Sequence, residues 1–401
     1  MRIGIIGGGP GGAVAAATLA RAGHQVEVWE GETFPRFHIG ESLLPCNLPI
    51  YEDLGLGREV FVGQGYTPKL AAHFEQAGTG RTCRFPFADG LPGDPPGIYQ
   101  VERARFDHLL LRHAVASGAR LHCPVRVQRV ELPDQGQPVV HHDQGATPVD
   151  FVIDASGRET LLGRQLGLVD REGDLMRAAV YGHVGAIPLA PGAQSGDISI
   201  AKGAAGWAWA IPLAPTAKWS VGLVLRREVV IKGGTPAEVF RNNLVHFPEY
   251  GVRLAGQVPD PVRATPNISY RVRERTGRRW ALIGDAGGFA DPIFSSGVLL
   301  ATRAGWRLGK RLAEHGADVD LHDWRAQTDH DLATFIGFIR LWYDGHFIDN
   351  LFFSETREPA IYRGIISLLA GNTTNPENAF LKMLERRVKR ETTGDAGTMS
   401  L

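Results

Sequence analysis

The apolar positions at the amino terminus change period twice within a short stretch. Ile3 to Ile6 is a continuous apolar run, short enough for a buried strand. Ala13 to Ala22 is a run of small residues that reads as a helix, with Gly23 as its stop. His24 to Trp29 then alternates as a second strand, closed by Glu30. Gly7-Gly8-Gly9-Pro10-Gly11-Gly12 fills the first change of period. Strand, glycine turn, helix and strand make a β-α-β unit.

Further along, Trp207-Ala208-Trp209-Ala210-Ile211-Pro212 alternates as a strand, so both indoles point to one face. Such a pair is either core packing between a sheet and a helix or a wall shielding a reactive group from substrate. The surrounding Leu168–Asn267 stretch carries alternating strands such as Ala178–Gly185 and Trp219–Leu225, which predicts an antiparallel sheet. Pro212, Pro215 and Pro259 mark its loops. From Asp320 the pattern turns helical. Phe335 to Tyr343 and His346 to Phe353 form an aromatic stripe, expected as core and as a roof over a pocket. Lys382, Arg386, Arg387, Lys389 and Arg390 give a basic helix end, either a solvated face or a dock for an acidic carrier protein. Thr392 to Leu401 is expected to fray.

Composition narrows the class. Lys+Arg and Asp+Glu both total 43, so there is no basic field for nucleic acid. Fifty glycines fit a fold with close backbone approaches to a nucleotide. Cys46, Cys83 and Cys123 lack the CxxC spacing of a zinc site and are odd in number, which fits a reducing cytoplasm and not a disulfide framework. The first apolar run is too short for a signal peptide. No uncharged apolar stretch of about 18 residues exists, so a soluble protein without a transmembrane segment is expected. His141-His142 lies in a polar, loop-like stretch and is expected to face solvent.

The glycine turn holds G-x-G-x-x-G at Gly7, Gly9 and Gly12. The first glycine permits the turn, the second lets backbone approach a pyrophosphate, and the third lets helix and strand pack. The helix N-terminus faces the anion. Glu30, 18 positions after Gly12, stands where an acid binds ribose hydroxyls. This unit alone does not separate FAD from NAD. Ala281 to Gly288 is a second strand running into a glycine turn, with Asp285 at the turn. It resembles the second FAD fingerprint of the flavin monooxygenase superfamily, in which the acid binds the ribityl chain. Phe151 to Arg158 resembles the middle motif of that superfamily.

With these three in order, the chain resembles the flavin-dependent halogenases from Met1 to about Phe353, nearest their phenol and pyrrole branches. Trp207-x-Trp209-x-Ile211-Pro212 matches the WxWxIP signature of the family. Phe289 to Val298 resembles its FxPxFSxG signature beside the isoalloxazine, with Phe289 one place further from Pro292 than the strict pattern. Phe34 to Pro45, with Arg36 and Ser42, resembles the segment that covers the cofactor. Arg103 matches a flavin-contacting arginine, and Gly65 to Phe74 resembles the segment that carries the catalytic lysine, here Lys69.

The resemblance implies an α/β fold: a discontinuous Rossmann-type FAD-binding domain of the glutathione-reductase kind, an antiparallel β-sheet substrate domain and a helical C-terminal segment. The expected divisions are 1–65, 99–166 and 269–318 for the FAD-binding domain, and 66–98 with 167–268 for the substrate domain. Residues 319–391 form the helical region and 392–401 a flexible tail. It further implies FAD used as FADH2 from a separate flavin reductase, O2, and a chloride or bromide ion. Halide would attack a flavin C4a-hydroperoxide and leave as hypohalous acid, which Lys69 then captures or holds for delivery to an electron-rich phenol or pyrrole, free or carrier-tethered. Gly7, Gly9, Gly12, Glu30, Arg36, Ser42, Arg103, Asp285, Pro292, Gly297 and Val298 would hold the cofactor. Ser296 and Gly297, at a helix start, would hold the halide. Trp207 and Trp209 would separate flavin from substrate. A flavin hydroxylase, a geranylgeranyl-reductase-like enzyme and a non-catalytic flavin-binding regulator remain as alternatives.

Overall fold

The structure is a computed structural model and describes residues 1–171, 177–214, 216–265, 269–354 and 356–393. Two large sheets organise it. The first has six strands in the order Thr276–Gly277, Trp280–Leu282, Phe151–Asp154, Arg2–Ile6, Gln25–Trp29 and Arg120–His122. It is parallel apart from the edge hairpin at Thr276–Gly277. Its register decides where chemistry can sit. Ile6 is opposite both Trp29 and Asp154, and Asp154 is opposite Leu282. The four central strands therefore end level, and Gly7, Glu30, Ala155 and Ile283 leave the sheet at one edge. Ligands of open parallel sheets bind outside this carboxyl edge.

The first helix, Pro10–Arg21, packs against the long helix Gly297–His315 through small residues. Backbone clearance at the glycine turn is minimal: a Cβ on Gly12 would lie 2.0 Å from the Gly7 carbonyl oxygen. Gly7 itself adopts φ +100, which disfavours any side chain.

The second sheet has seven strands: Arg263–Thr265, Arg177–Val184, Lys218–Arg226, Gly206–Leu213, Ile198–Gly203, Ala71–Gln76 and Arg81–Pro86. It is antiparallel except where Ile198–Gly203 runs parallel to Ala71–Gln76. Its two faces are both buried. Trp207, Trp209, Ile211, Tyr181 and Phe74 join the main core with the first sheet and the C-terminal helices. Ala208, Ala210, Val221 and Leu223 face away, into a second core closed by helices that include Pro236–Asn243 and Pro248–Leu254. Alternation of Trp with Ala is thus a choice of which face takes the bulk.

Two local expectations are corrected. Pro212 is not in a loop but in the Gly206–Leu213 strand, opposite Trp219. The neighbouring strand pairs no further than Ala210, so one side of Pro212 has no ladder to break. His141 and His142 are not in a loop but in the Val139–His142 strand of a three-stranded sheet. His142 stacks on Trp29 at 5.5 Å between centroids, an aromatic contact that outweighs its polarity. The helix start expected at Ser296 and Gly297 is found there: the helix runs from Gly297 to His315. Thr392 and Thr393 of the expected tail belong to the Ala379–Thr393 helix, and Pro215 and residues 394–401 lie outside the described residues.

The apolar C-terminal stripe forms the His322–Tyr343 and His346–Phe352 helices. Phe338 stacks on Phe294 at 3.8 Å, and Phe352 meets Phe74 at 4.8 Å. These rings clamp the Pro292–Phe294 turn against the second sheet. Among the described residues, no helix is long and apolar enough to cross a membrane.

Candidate active site

A cavity of about 650 Å³ opens at the carboxyl edge of the parallel sheet and extends to the core face of the second sheet. Gly7, Gly9, Glu30, Arg36, Ser42, Arg103, Asp285, Pro292, Gly297, Val298, Trp207 and Trp209 all line it. Lys69, Ser296 and Gly12 do not: Gly12 packs behind Gly7, and Ser295, one residue before Ser296, takes the wall position with φ 57.

At one end, Glu30 accepts hydrogen bonds from the Gly8 and Glu32 amides, both at 2.8 Å. These fix the carboxylate beside the glycine turn, with lone pairs left for hydroxyl donors. Val125 and Val127 complete this end. In the middle, Asp285 is buried, which pushes its carboxyl up to about 6 against the pull of Arg158 and Arg103. A carboxyl in that state suits hydrogen bonding to hydroxyls.

The segment from Phe34 to Ser42 covers the cavity. Asp107, fully buried on the Arg103–Ala116 helix, holds Arg103 through two bonds of 2.6 and 3.0 Å and takes Arg36 at 3.2 Å. Arg103 also donates to the Ile39 carbonyl at 2.7 Å. The far side of the segment is tied to the second sheet. Glu41 meets His183 at 2.9 Å, and Arg263 sits 3.9 Å over the Phe37 ring.

Trp207 and Trp209 form the wall at the sheet end, with ring centroids 5.6 Å apart. Neither indole is loose. Trp209 Nε1 donates to Ser220 Oγ at 3.1 Å, and Trp207 Nε1 donates to Tyr343 Oη at 3.1 Å. Tyr343 in turn donates to Asp291 Oδ2 at 2.6 Å. Burial pushes the Asp291 carboxyl up to about 6. Gly222 stands opposite Trp209, where a Cβ would lie 2.2 Å from the ring. The bare backbone there is the space the indole occupies.

Lys69 ends the short Thr67–Lys69 strand, which pairs with Ile98–Gln100. Its side chain turns inward and is only 1% exposed. Nζ donates to the Leu43 carbonyl at 2.7 Å and lies 5.4 Å from the Phe87 ring centroid. Desolvation lowers its pKa from 10.5 to about 7, with Asp197 opposing. Leu43 follows Ser42, so the amine sits directly behind a residue of the cavity wall.

Sequence reasoning missed His38, Tyr181, Arg158, Arg263 and Thr265, all of which line the cavity. His38 lies inside the covering segment, so its neighbours Arg36 and Ser42 were a usable signal. Burial lowers its pKa to about 4, keeping the ring neutral. Arg158 ends the Phe151–Arg158 motif, which was a second usable signal, whereas Tyr181, Arg263 and Thr265 belong to strands whose facing only the sheet packing sets.

The lining fits FAD. A glycine edge for phosphates, a fixed acid for ribose and a second acid midway follow one another towards a wall of two indoles tilted by 44°. Among the described residues, no cluster of His, Cys, Asp and Glu could hold a metal ion.

Comparison with known proteins agrees. Residues 2–94 and 97–374 match the family described as tryptophan halogenase. A 1H-pyrrole-2-carbonyl-(peptidyl-carrier protein) chlorinase of Pseudomonas fluorescens is 29% identical over 92% of this chain and 88% of its own length. A tryptophan 2-halogenase of Chondromyces crocatus is 30% identical over 86% of this chain, which spans only 65% of that relative. The solved structure of the flavin-dependent brominase Bmp2 superposes with a TM-score of 0.87 at 25% identity, covering 98% of this chain and 100% of its own.

Proposed function

The chain belongs to the tryptophan halogenase family of flavin-dependent enzymes, and from that premise we propose that Lys69 relays halogen to an electron-rich phenol or pyrrole. Bound in the cavity, reduced FAD supplies the chemistry that converts O2, halide and a proton to hypohalous acid and water. The protein contributes everything else.

Gly7 and Gly9 bring backbone to the phosphates, Gly12 lets the helix close on that turn, and Glu30 and Asp285 take the hydroxyls. The Ser295–Val298 turn opens a long helix at the cavity wall, a place that favours an anion. Gly297, which lines the cavity, is the residue of that turn whose N–H would meet the ion. Trp207 and Trp209 keep the organic substrate off the cofactor, so that the oxidant meets halide first. Tyr343 and Ser220 hold the two indoles in that posture.

Lys69 carries the reading. A lysine titrating near 7 is neutral half the time at neutral pH, which leaves a lone pair for halogen. The same burial that lowers the pKa keeps water from hydrolysing what the amine holds. No second G-x-G-x-x-G fingerprint for NAD(P)H accompanies Gly7 to Gly12, which supports delivery of FADH2 by a separate reductase.

A carrier-tethered pyrrole heads the substrate panel, because the pyrrole chlorinase relative matches 92% of this chain. Lys382 and Arg386 are exposed on the last helix and give an acidic carrier a basic face to meet. The test is incubation with FADH2, O2, bromide and free or carrier-tethered phenols and pyrroles, read by mass spectrometry. Brominated product from the native enzyme and none from Lys69→Ala, with FAD still bound, is expected. Full bromination by Lys69→Ala removes Lys69 from the mechanism. Hydroxylated product independent of bromide would make the protein a hydroxylase.

A further inference from the structure

Two buried polar atoms beside Lys69 have no hydrogen-bond partner among the described residues: Ser42 Oγ and Gln100 Oε1. Ser42 is 4% exposed and Gln100 0%. Backbone pairing sets where they point. Ser42 forms an antiparallel bridge with Gln100. Val101 N to Glu41 O at 2.8 Å and Leu43 N to Tyr99 O at 3.4 Å flank that bridge. It is therefore a non-hydrogen-bonded pair, the kind whose side chains stand closest. On its other side, Gln100 is opposite Thr67, and Lys69 is opposite Ile98.

Residues opposite one another in an antiparallel pair share a face, as do residues two apart on a strand. Ser42, Gln100, Thr67 and Lys69 hence lie on one face of a three-chain patch. Thr67 Oγ1 is taken by the Ala214 amide at 2.9 Å, and Gln100 Nε2 by the Gly196 carbonyl at 3.0 Å. What remains is one hydroxyl and one amide oxygen. Ser42 lines the cavity, its bridge partner Gln100 lies behind it, and Nζ ends on the carbonyl next to Ser42. Buried polar atoms are rarely left unpaired, and a donor-acceptor pair of this kind suits a small molecule with one O–H.

We propose that Ser42 and Gln100 form the hand-over point for hypohalous acid between the flavin cavity and Lys69. Gln100 Oε1 accepts the O–H of the acid, and the Ser42 hydroxyl donates to its oxygen. This turns the halogen towards Nζ. The neutral amine then forms the N–halogen bond as the halogen–oxygen bond breaks. The departing hydroxide takes one amine proton and leaves as water, so halogen keeps its oxidation state and no further reagent is consumed. The route passes through the covering segment and not between the indoles. Ser42 and Gln100 act through position only.

The inference rests on the Lys69 reading, and the experiment separates the two. Flavin-free protein receives one equivalent of hypochlorous acid, and chlorination of Lys69 is followed by non-reducing peptide mass spectrometry. Native protein, Gln100→Leu, Ser42→Ala and Ser42→Thr are compared, with folding checked by thermal denaturation. Chlorination at Lys69 at least fivefold slower in Gln100→Leu and Ser42→Ala, and restored in Ser42→Thr, is expected. Should Gln100→Leu fail to fold, the Ser42 pair decides alone. Chlorination as fast in the variants as in native protein overturns the hand-over and leaves Lys69 in place. Native protein that takes no chlorine at Lys69 overturns both. In the FAD-loaded enzyme, the same variants should spill oxidant to a cyclic β-diketone trap in bulk solvent.

Discussion

Replacing Lys69 by methionine tests the electrostatics of the relay without any substrate. The amine is 1% exposed and its pKa falls from 10.5 to about 7 on burial. Between those two pH values the unfolded chain holds a proton that the folded protein has shed. Stability therefore rises with pH across this window, by about 1.4 kcal/mol per pH unit from this group. Below about pH 7 lysine is charged in both states and the full desolvation cost is present. Lys69→Met keeps the length, removes the charge and orphans the Leu43 carbonyl, a loss of about 1–3 kcal/mol at every pH. The variant should gain relative to native protein at pH 6 and lose that advantage by roughly 2.3 kcal/mol on going from pH 7 to pH 9. Urea denaturation of both proteins at pH 6, 7, 8 and 9 measures it. Parallel stability curves, with a difference that moves by less than about 0.5 kcal/mol over that range, would refute a buried amine titrating near 7.

Other consequences are as direct. Native halogenation at saturating FADH2 should drop about fivefold from pH 7 to pH 6 as the amine protonates, measured from product yield. Gly12→Ala should abolish FAD binding in fluorescence titration, because its Cβ would press to 2.0 Å from the Gly7 oxygen that shapes the phosphate turn. Gly222→Ala should displace the Trp209 ring, cost about 1–3 kcal/mol as an overpacked core does, and admit substrate to the cofactor, seen as bromide-independent flavin turnover. Tyr343→Phe leaves Trp207 Nε1 and Asp291 Oδ2 without their shared partner, so about 1–3 kcal/mol of stability should be lost in urea titration.

The sequence by itself determined the elements with a fixed local period or a steric demand. The glycine turn and the alternation of Trp207 and Trp209 are of this kind, because a tight turn tolerates few residues and a strand repeats every two. Their convergence was not legible. Gly7, Glu30, Ala155 and Ile283 meet because four parallel strands end level, and register is a property of pairing between distant segments. His141 and His142 read as a polar loop although they pair with Val127–Glu131 and, in a tight hairpin, with Gly145–Pro148; the Trp29 ring that covers His142 lies far off in the chain. Lys69 shows the division most plainly. Its identity came from a short motif, but a lysine titrates near 10.5 in water and near 7 only where tertiary packing strips water from it. Burial depends on every element that closes around a side chain, and no local stretch of sequence contains that information.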